Sequence, residues 1–132
     1  MSTQPSATAL VAGFFQSFGA GDLPGLLALF ADDVDFRVAG APTVPWVGER
    51  RTRAEIEAFF KTLGAELTTE AFAVDAVFGD ATNAGATGSF TQRVNSTGKA
   101  FTSDFALYVQ ANVGEIVKFR FFEDSFAVAE AF

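Results

Sequence analysis

The sequence predicts an α+β fold in which a curved, mostly antiparallel sheet wraps around three N-terminal helices and leaves a cone. Helical spacing of apolar residues occurs only in the first half, whereas alternating strand patterns fill the second half. Strands in succession pair antiparallel, and helices must cover one face of their sheet. Small residues at 84–89 permit strong curvature and also suit a ligand cavity. The length fits one domain, residues 1–132.

Two amphipathic helices open the chain. Apolar residues at helical spacing predict the first over residues 6–19. Asp22 can cap a second helix, "LPGLLALFA", whose apolar side includes Phe30. The following "VDFRV", 34–38, alternates apolar and charged residues and therefore predicts a strand.

A capping box marks the start of the third helix. The hydroxyl of Thr52 can accept from an amide of the first turn, while Glu55 reaches back to the cap amide. Glycine and proline predict a loop over 39–45, followed by a short strand or loop, and the helix should end near Gly64.

Four strands in a meander complete the predicted fold. They cover 69–79, 84–94, 100–110 and 115–124, and a short helical tail follows at 125–132.

Composition excludes several classes of function. The net charge of −7 argues against binding to nucleic acid or to an anionic membrane surface. The chain has no cysteine and no histidine, so thiolate chemistry, a Ser-His-Asp triad and histidine metal ligation are excluded. No glycine-rich phosphate loop or acidic metal loop is present, and we expect neither a cofactor nor a metal. The N-terminus does not resemble a signal peptide, which predicts a cytoplasmic protein.

Two segments carry a resemblance to a known family. The run "FADDVDFRVAGAPTVPWVGERRTRAEIEAFF" and the later "GEIVKFRFFEDS" resemble the SnoaL-like polyketide cyclase and ketosteroid isomerase-like group of the nuclear transport factor 2-like superfamily. The resemblance covers roughly residues 8–128. It implies a cone-shaped α+β barrel with a deep apolar pocket, often dimeric through the outer sheet face. Members include isomerases, cyclases, hydrolases and non-catalytic binders, so the fold alone does not fix the activity.

The seventeen phenylalanines predict a core or an apolar cavity, because their rings fill volume without hydrogen bonding. The resemblance implies that Trp46 lies over the pocket mouth, although it could instead close one end of the core. The predicted ligand-contacting aromatic residues are Phe14, Phe18, Phe36, Trp46, Phe59, Phe105 and Phe119.

Asp104 and Tyr108 are the candidate catalytic residues. A carboxylate in an apolar cavity has a raised pKa and can transfer protons near neutral pH, and Tyr108 is the one phenol in the chain. Both also fit the polar outer face of their strand. Arg37 and Arg120 could hold an anionic ligand if they point inward, or pair with acids if they point outward.

The resemblance also shows what is missing. The tyrosine and the carboxylate base of ketosteroid isomerase correspond to phenylalanines of the first helix and to Val38, and the histidine of many relatives corresponds to Leu107. We therefore expect an apolar pocket that binds a hydrophobic small molecule. The protein is then an acid/base isomerase, cyclase or hydrolase, or alternatively a non-catalytic binder or interaction module. A homodimer is implied by the resemblance.

Overall fold

The computed structural model describes residues 4–40 and 44–131. Its elements are α1 (Ala7–Ala20), α2 (Leu23–Leu27), β1 (Phe30–Val38), β2 (Gly48–Thr52), α3 (Arg53–Glu66), β3 (Leu67–Gly79), β4 (Asn83–Val94), β5 (Ala100–Asn112), β6 (Glu115–Glu123) and α4 (Ser125–Glu130). This confirms the predicted order of elements, with a strand just before the third helix. Residues 41–43 of the predicted loop and Phe132 of the predicted tail lie outside the described residues.

Helix starts follow the predicted capping chemistry. Asp22 accepts a 3.0 Å hydrogen bond from the amide of Gly25, and both halves of the Thr52–Glu55 capping box are present. The second helix is shorter than predicted, because Phe30 is the first residue of β1. Its backbone pairs with Ile116 of β6 and its ring is fully buried, so tertiary pairing outweighs local helical spacing.

The six strands form one mixed sheet in the order β2-β1-β6-β5-β4-β3. The β1–β6 pair is parallel and the other four pairs are antiparallel, as expected for a mostly antiparallel sheet. The sheet is not closed, since β2 and β3 are edge strands that do not pair with each other. Helix α3 connects these edges and contacts both. The predicted cone is confirmed, and the barrel that the resemblance implies is open between β2 and β3.

The N-terminal helices fill the concave face of the sheet with aromatic rings. Phe14 of α1 lies 5.3 Å from Phe119, and Phe59 of α3 lies 5.0 Å from Phe36, between ring centroids. On β5, residues alternate between buried and exposed along the whole strand. The sheet therefore has a buried inner face and a solvent-exposed outer face. No described helix is long and apolar enough to cross a membrane.

Candidate functional site

An aromatic pocket lies between α1, α3 and the inner face of the sheet, with a volume of about 50 Å³. That space suffices for a few water molecules. A second, wider cavity of about 360 Å³ shares Phe18, Phe60, Leu63, Leu67 and Gln92 with it. The wider cavity, called here the vestibule, continues to the surface beside α2. The two cavities therefore adjoin along these five residues.

Glu123 supplies the one carboxylate among the described residues that line the inner pocket. It is the last residue of β6 and pairs with Phe105 across the strands, so it shares the inner face with that ring. Burial raises the pKa of the Glu123 carboxyl, and the hydrogen bond from Trp46 partly opposes this effect. No lysine or arginine of the described chain forms an ion pair with it.

The side chain of Trp46 holds one oxygen of this carboxyl. Its indole Nε1 donates a 2.9 Å hydrogen bond to Oε1 of Glu123, and only 2% of Trp46 is exposed. The other oxygen, Oε2, accepts no hydrogen bond from a described residue. The carboxyl is therefore oriented through one oxygen, and the second remains able to meet a ligand.

Arg50 of β2 fixes Trp46 in turn. Its guanidinium donates a 2.7 Å hydrogen bond to the carbonyl oxygen of Trp46 and lies 4.7 Å from the centroid of the Phe59 ring. The register pairs Arg50 with Phe36, which places it on the inner face, and burial lowers the pKa of its guanidinium. The positive charge beside the tryptophan thus acts as a support for the pocket wall.

Five of the seven predicted aromatic residues line the inner pocket, namely Phe14, Phe18, Trp46, Phe59 and Phe119. The other two lie behind the lining. Phe36 stacks on Phe119 at 4.5 Å with an interplanar angle of 2°, and Phe105 lies 5.6 Å from Phe121. Phe36 and Phe105 therefore support the lining instead of forming it.

The structure does not place Asp104 and Tyr108 in the pocket. Strand alternation turns Phe105 and Leu107 inward, so Asp104 and Tyr108 are exposed on the outer face of β5. The hydroxyl of Tyr108 donates to Oδ1 of Asn83. The expectation that these two residues form an acid/base pair inside the cavity therefore has no geometric basis.

Arg37 and Arg120 also lie on the outer face. Arg120 donates to the Asp35 carboxylate at 2.7 Å and to the Asp35 carbonyl oxygen at 2.8 Å, and this hydrogen bonding lowers the pKa of Asp35. Arg37 pairs with Glu49 at 3.0 Å. Of the two orientations left open by the sequence, the outward one is correct, and neither arginine can contact a ligand in the inner pocket.

Sequence reasoning missed Glu123, although a signal was present. Val117, Phe119 and Phe121 alternate along the apolar side of β6, and Glu123 is the next residue on that side. Gln92 was missed in the same way. It follows Phe90 at a spacing of two on β4 and is buried.

The described residues contain no group of three or more acidic, histidine or cysteine side chains that could hold a metal ion. The inner pocket combines a carboxyl, an indole donor and an amide with many aromatic rings. Such an arrangement can bind an apolar molecule and exchange one proton with it.

Comparison with known proteins gives a consistent picture. A family model described as "SnoaL-like domain" matches residues 11–119. Patulin biosynthesis cluster protein F of Penicillium expansum is 33% identical over 93 residues, which cover 67% of this chain and 46% of that protein. The chain thus spans about half the length of this curated relative.

Solved structures match over nearly the whole chain. An NTF2-like protein from Burkholderia thailandensis E264 has a TM-score of 0.87 and 25% identity, covering 97% of this chain and 98% of that one. A candidate polyketide cyclase from Pseudomonas putida KT2440 has a TM-score of 0.76 and 18% identity, covering 96% and 97%. At that identity the second match shows the fold alone. The chain therefore belongs to the SnoaL-like domain family and has the NTF2-like fold.

Proposed function

We propose that the chain binds an apolar small molecule in the vestibule and the adjoining inner pocket, and that Glu123 exchanges a proton with the part that reaches the inner pocket. The reaction would be a cofactor-independent isomerisation, cyclisation or hydrolysis. The observation that supports this proposal is a carboxyl with a raised pKa in a pocket that is otherwise mostly aromatic.

The position of the carboxyl suits general acid/base chemistry. A catalytic group works best when its pKa lies near the operating pH, and burial moves the pKa of Glu123 in that direction. The indole of Trp46 fixes Oε1, so Oε2 can meet a C–H or O–H group of the ligand. Aromatic rings exclude water, which strengthens this contact.

A non-catalytic binder is the second candidate. Among the described lining residues, Glu123 and Gln92 are the polar members apart from the Trp46 indole. Among the described lining residues there is no second carboxyl or phenol to act as the opposite partner in a proton relay. A carrier for an apolar ligand would need no such pair.

Deuterium exchange separates these two candidates. The ketone 2-indanone carries exchangeable protons beside its carbonyl, and NMR in D₂O follows both its binding and its proton exchange. We expect the wild type and Asp104→Asn to accelerate the exchange equally, and Glu123→Gln to reduce it by about 10²-fold or more. Binding without accelerated exchange would support the carrier and exclude the acid/base role.

We also propose that two copies associate through the outer sheet face. Phe78, Tyr108 and Phe122 are exposed by 55%, 36% and 47% on that side. Gly85 pairs with both Phe78 and Tyr108, so these two side chains lie in one row across β4 and form part of an exposed apolar patch. A sedimentation mass equal to one 14.0 kDa chain at high concentration would contradict a homodimer. The cytoplasmic location likewise remains a proposal, and it rests on the sequence.

A further inference from the structure

Gln92 lies where the inner pocket meets the vestibule, since its side chain lines both cavities. It belongs to β4, and only 6% of it is exposed. The oxygen and the nitrogen of a buried amide usually both form hydrogen bonds, because an unpaired polar group costs free energy away from water.

The described residues form a hydrogen bond with only one end of this amide. Oε1 accepts a 2.9 Å hydrogen bond from the hydroxyl of Thr69, whereas Nε2 donates to no described residue. Every fully buried side-chain nitrogen or oxygen of the described residues has a partner. Nε2 must therefore retain accessible surface, and the cavities at which Gln92 lies provide it.

We propose that Gln92 determines ligand specificity by donating a hydrogen bond from Nε2 to an oxygen of the ligand. This proposal rests on the proposed function, because it assigns a ligand class to the same pocket. The Thr69 hydroxyl holds Oε1, which leaves Nε2 as the donor available to a ligand at the two cavities that Gln92 lines. The predicted ligand carries a carbonyl or ether oxygen on an apolar ring system.

The charges around the pocket indicate that this ligand is neutral. No lysine or arginine lines the inner pocket among the described residues, and Glu123 would repel an anion when ionised. Arg37 and Arg120 face the opposite side of the sheet and are already paired with acids. Arg50 does not line the pocket, and its guanidinium is held by the Trp46 carbonyl oxygen and the Phe59 ring. A carboxylate or phosphate ligand would therefore lose its hydration without gaining a cation.

A matched pair of probes tests the assignment. Indane and 2-indanone share one apolar frame and differ by a single carbonyl group. We expect the wild type to bind 2-indanone about fivefold more tightly than indane, as one additional hydrogen bond predicts. Gln92→Met should remove this preference and leave the affinity for indane within about twofold. Thr91→Val, a change on the outer side of the same strand, should keep the preference.

Three outcomes are possible, and each decides the proposal. Loss of the preference in Gln92→Met alone supports the role of Gln92. Equal binding of both probes by the wild type, or a preference that survives in Gln92→Met, overturns that role and leaves the proposed function intact. Failure of the wild type to bind either probe overturns both. If circular dichroism shows that Gln92→Met is unfolded, Gln92→Leu replaces it, because Leu also lacks the Nε2 donor and the exposed Thr69 hydroxyl can bond to water.

Discussion

The indole Nε1 of Trp46 donates a 2.9 Å hydrogen bond to the Glu123 carboxyl, across 77 residues of sequence. This bond joins the segment before β2 to the end of the last strand and lies within the wall of the inner pocket. Trp46 is the one tryptophan in the chain. Its fluorescence therefore reports on the protonation of the pocket carboxyl without any added label.

We predict that the emission of Trp46 shifts with pH as Glu123 titrates. An ionised carboxylate beside the indole nitrogen stabilises the excited state, in which positive charge builds up on the five-membered ring. Emission should therefore move to longer wavelength as pH rises. The midpoint should lie above the ordinary glutamate pKa of about 4.3, because burial raises the pKa of Glu123.

Two variants control this titration. Glu123→Gln removes the titrating group and should abolish the shift. Asp104→Asn removes an exposed carboxyl on the other face of the sheet and should leave the midpoint unchanged. A midpoint at or below the ordinary glutamate value in the wild type would contradict the burial of Glu123.

Stability should depend on pH through the same group. Because the pKa of Glu123 is higher in the folded than in the unfolded chain, its protonated form favours folding. This contribution is complete below the unfolded pKa and is lost as pH rises through the folded pKa. Glu123→Gln should therefore be more stable than the wild type at about pH 8, and its advantage should shrink toward about pH 4.

Denaturant unfolding of both proteins at each pH measures this difference. Titration of the remaining carboxyls affects wild type and variant alike and cancels in the comparison. An advantage of Glu123→Gln that grows toward acid pH would mean that the pKa of Glu123 is lowered by folding.

Removal of the Arg50 guanidinium should loosen Trp46. Arg50→Gln loses the hydrogen bond to the Trp46 carbonyl and the contact with the Phe59 ring. We expect the free energy of unfolding to fall by about 1–2 kcal/mol, and the fluorescence anisotropy of Trp46 to decrease. Arg51→Gln, an exposed neighbour on the same strand, should change stability by less than about 0.5 kcal/mol. Equal effects of the two changes would contradict a specific support by Arg50.

Local signals in the sequence were sufficient to predict most of the elements of the fold. The Thr52–Glu55 box depends on residues three apart, so its spacing predicts the start of α3 directly. Phe30 shows where local reasoning fails. It has helical spacing from Leu26, yet its strand partner is Ile116, 86 positions later, and no local pattern indicates this pairing.

The candidate site was less accessible to sequence reasoning. Alternation alone favoured the outer face for Asp104, and the structure agrees with that simple pattern. The same alternation extended by one step along β6 would have identified Glu123 on the pocket side. Strand alternation could not identify Trp46 as the hydrogen-bond donor to Glu123, because Trp46 lies before β2 and the contact depends on tertiary packing.

The absence of a side chain at position 88 shapes the wall beside Glu123. Gly88 of β4 pairs with Phe105, which itself pairs with Glu123 on β6. A Cβ at position 88 would lie 2.6 Å from an atom of the Phe105 ring and would also overlap the carbonyl oxygen of Ala73. The backbone oxygen cannot move without disturbing the β3–β4 ladder. Gly88 therefore leaves the space that the Phe105 ring occupies.

Gly88→Ala should lower the free energy of unfolding by about 1–3 kcal/mol, the usual effect of overpacking a buried site. In this variant the Phe105 ring is displaced and should disturb Glu123, which would in turn shift the emission of Trp46. Gly19→Ala is the matched control, because a Cβ there meets no atom within 4 Å on the exposed side of α1. That change should raise stability by about 0.5–1 kcal/mol, since alanine favours the helix more than glycine does. Denaturant unfolding gives both values, and a neutral Gly88→Ala would mean that β4 can relax around the added methyl group.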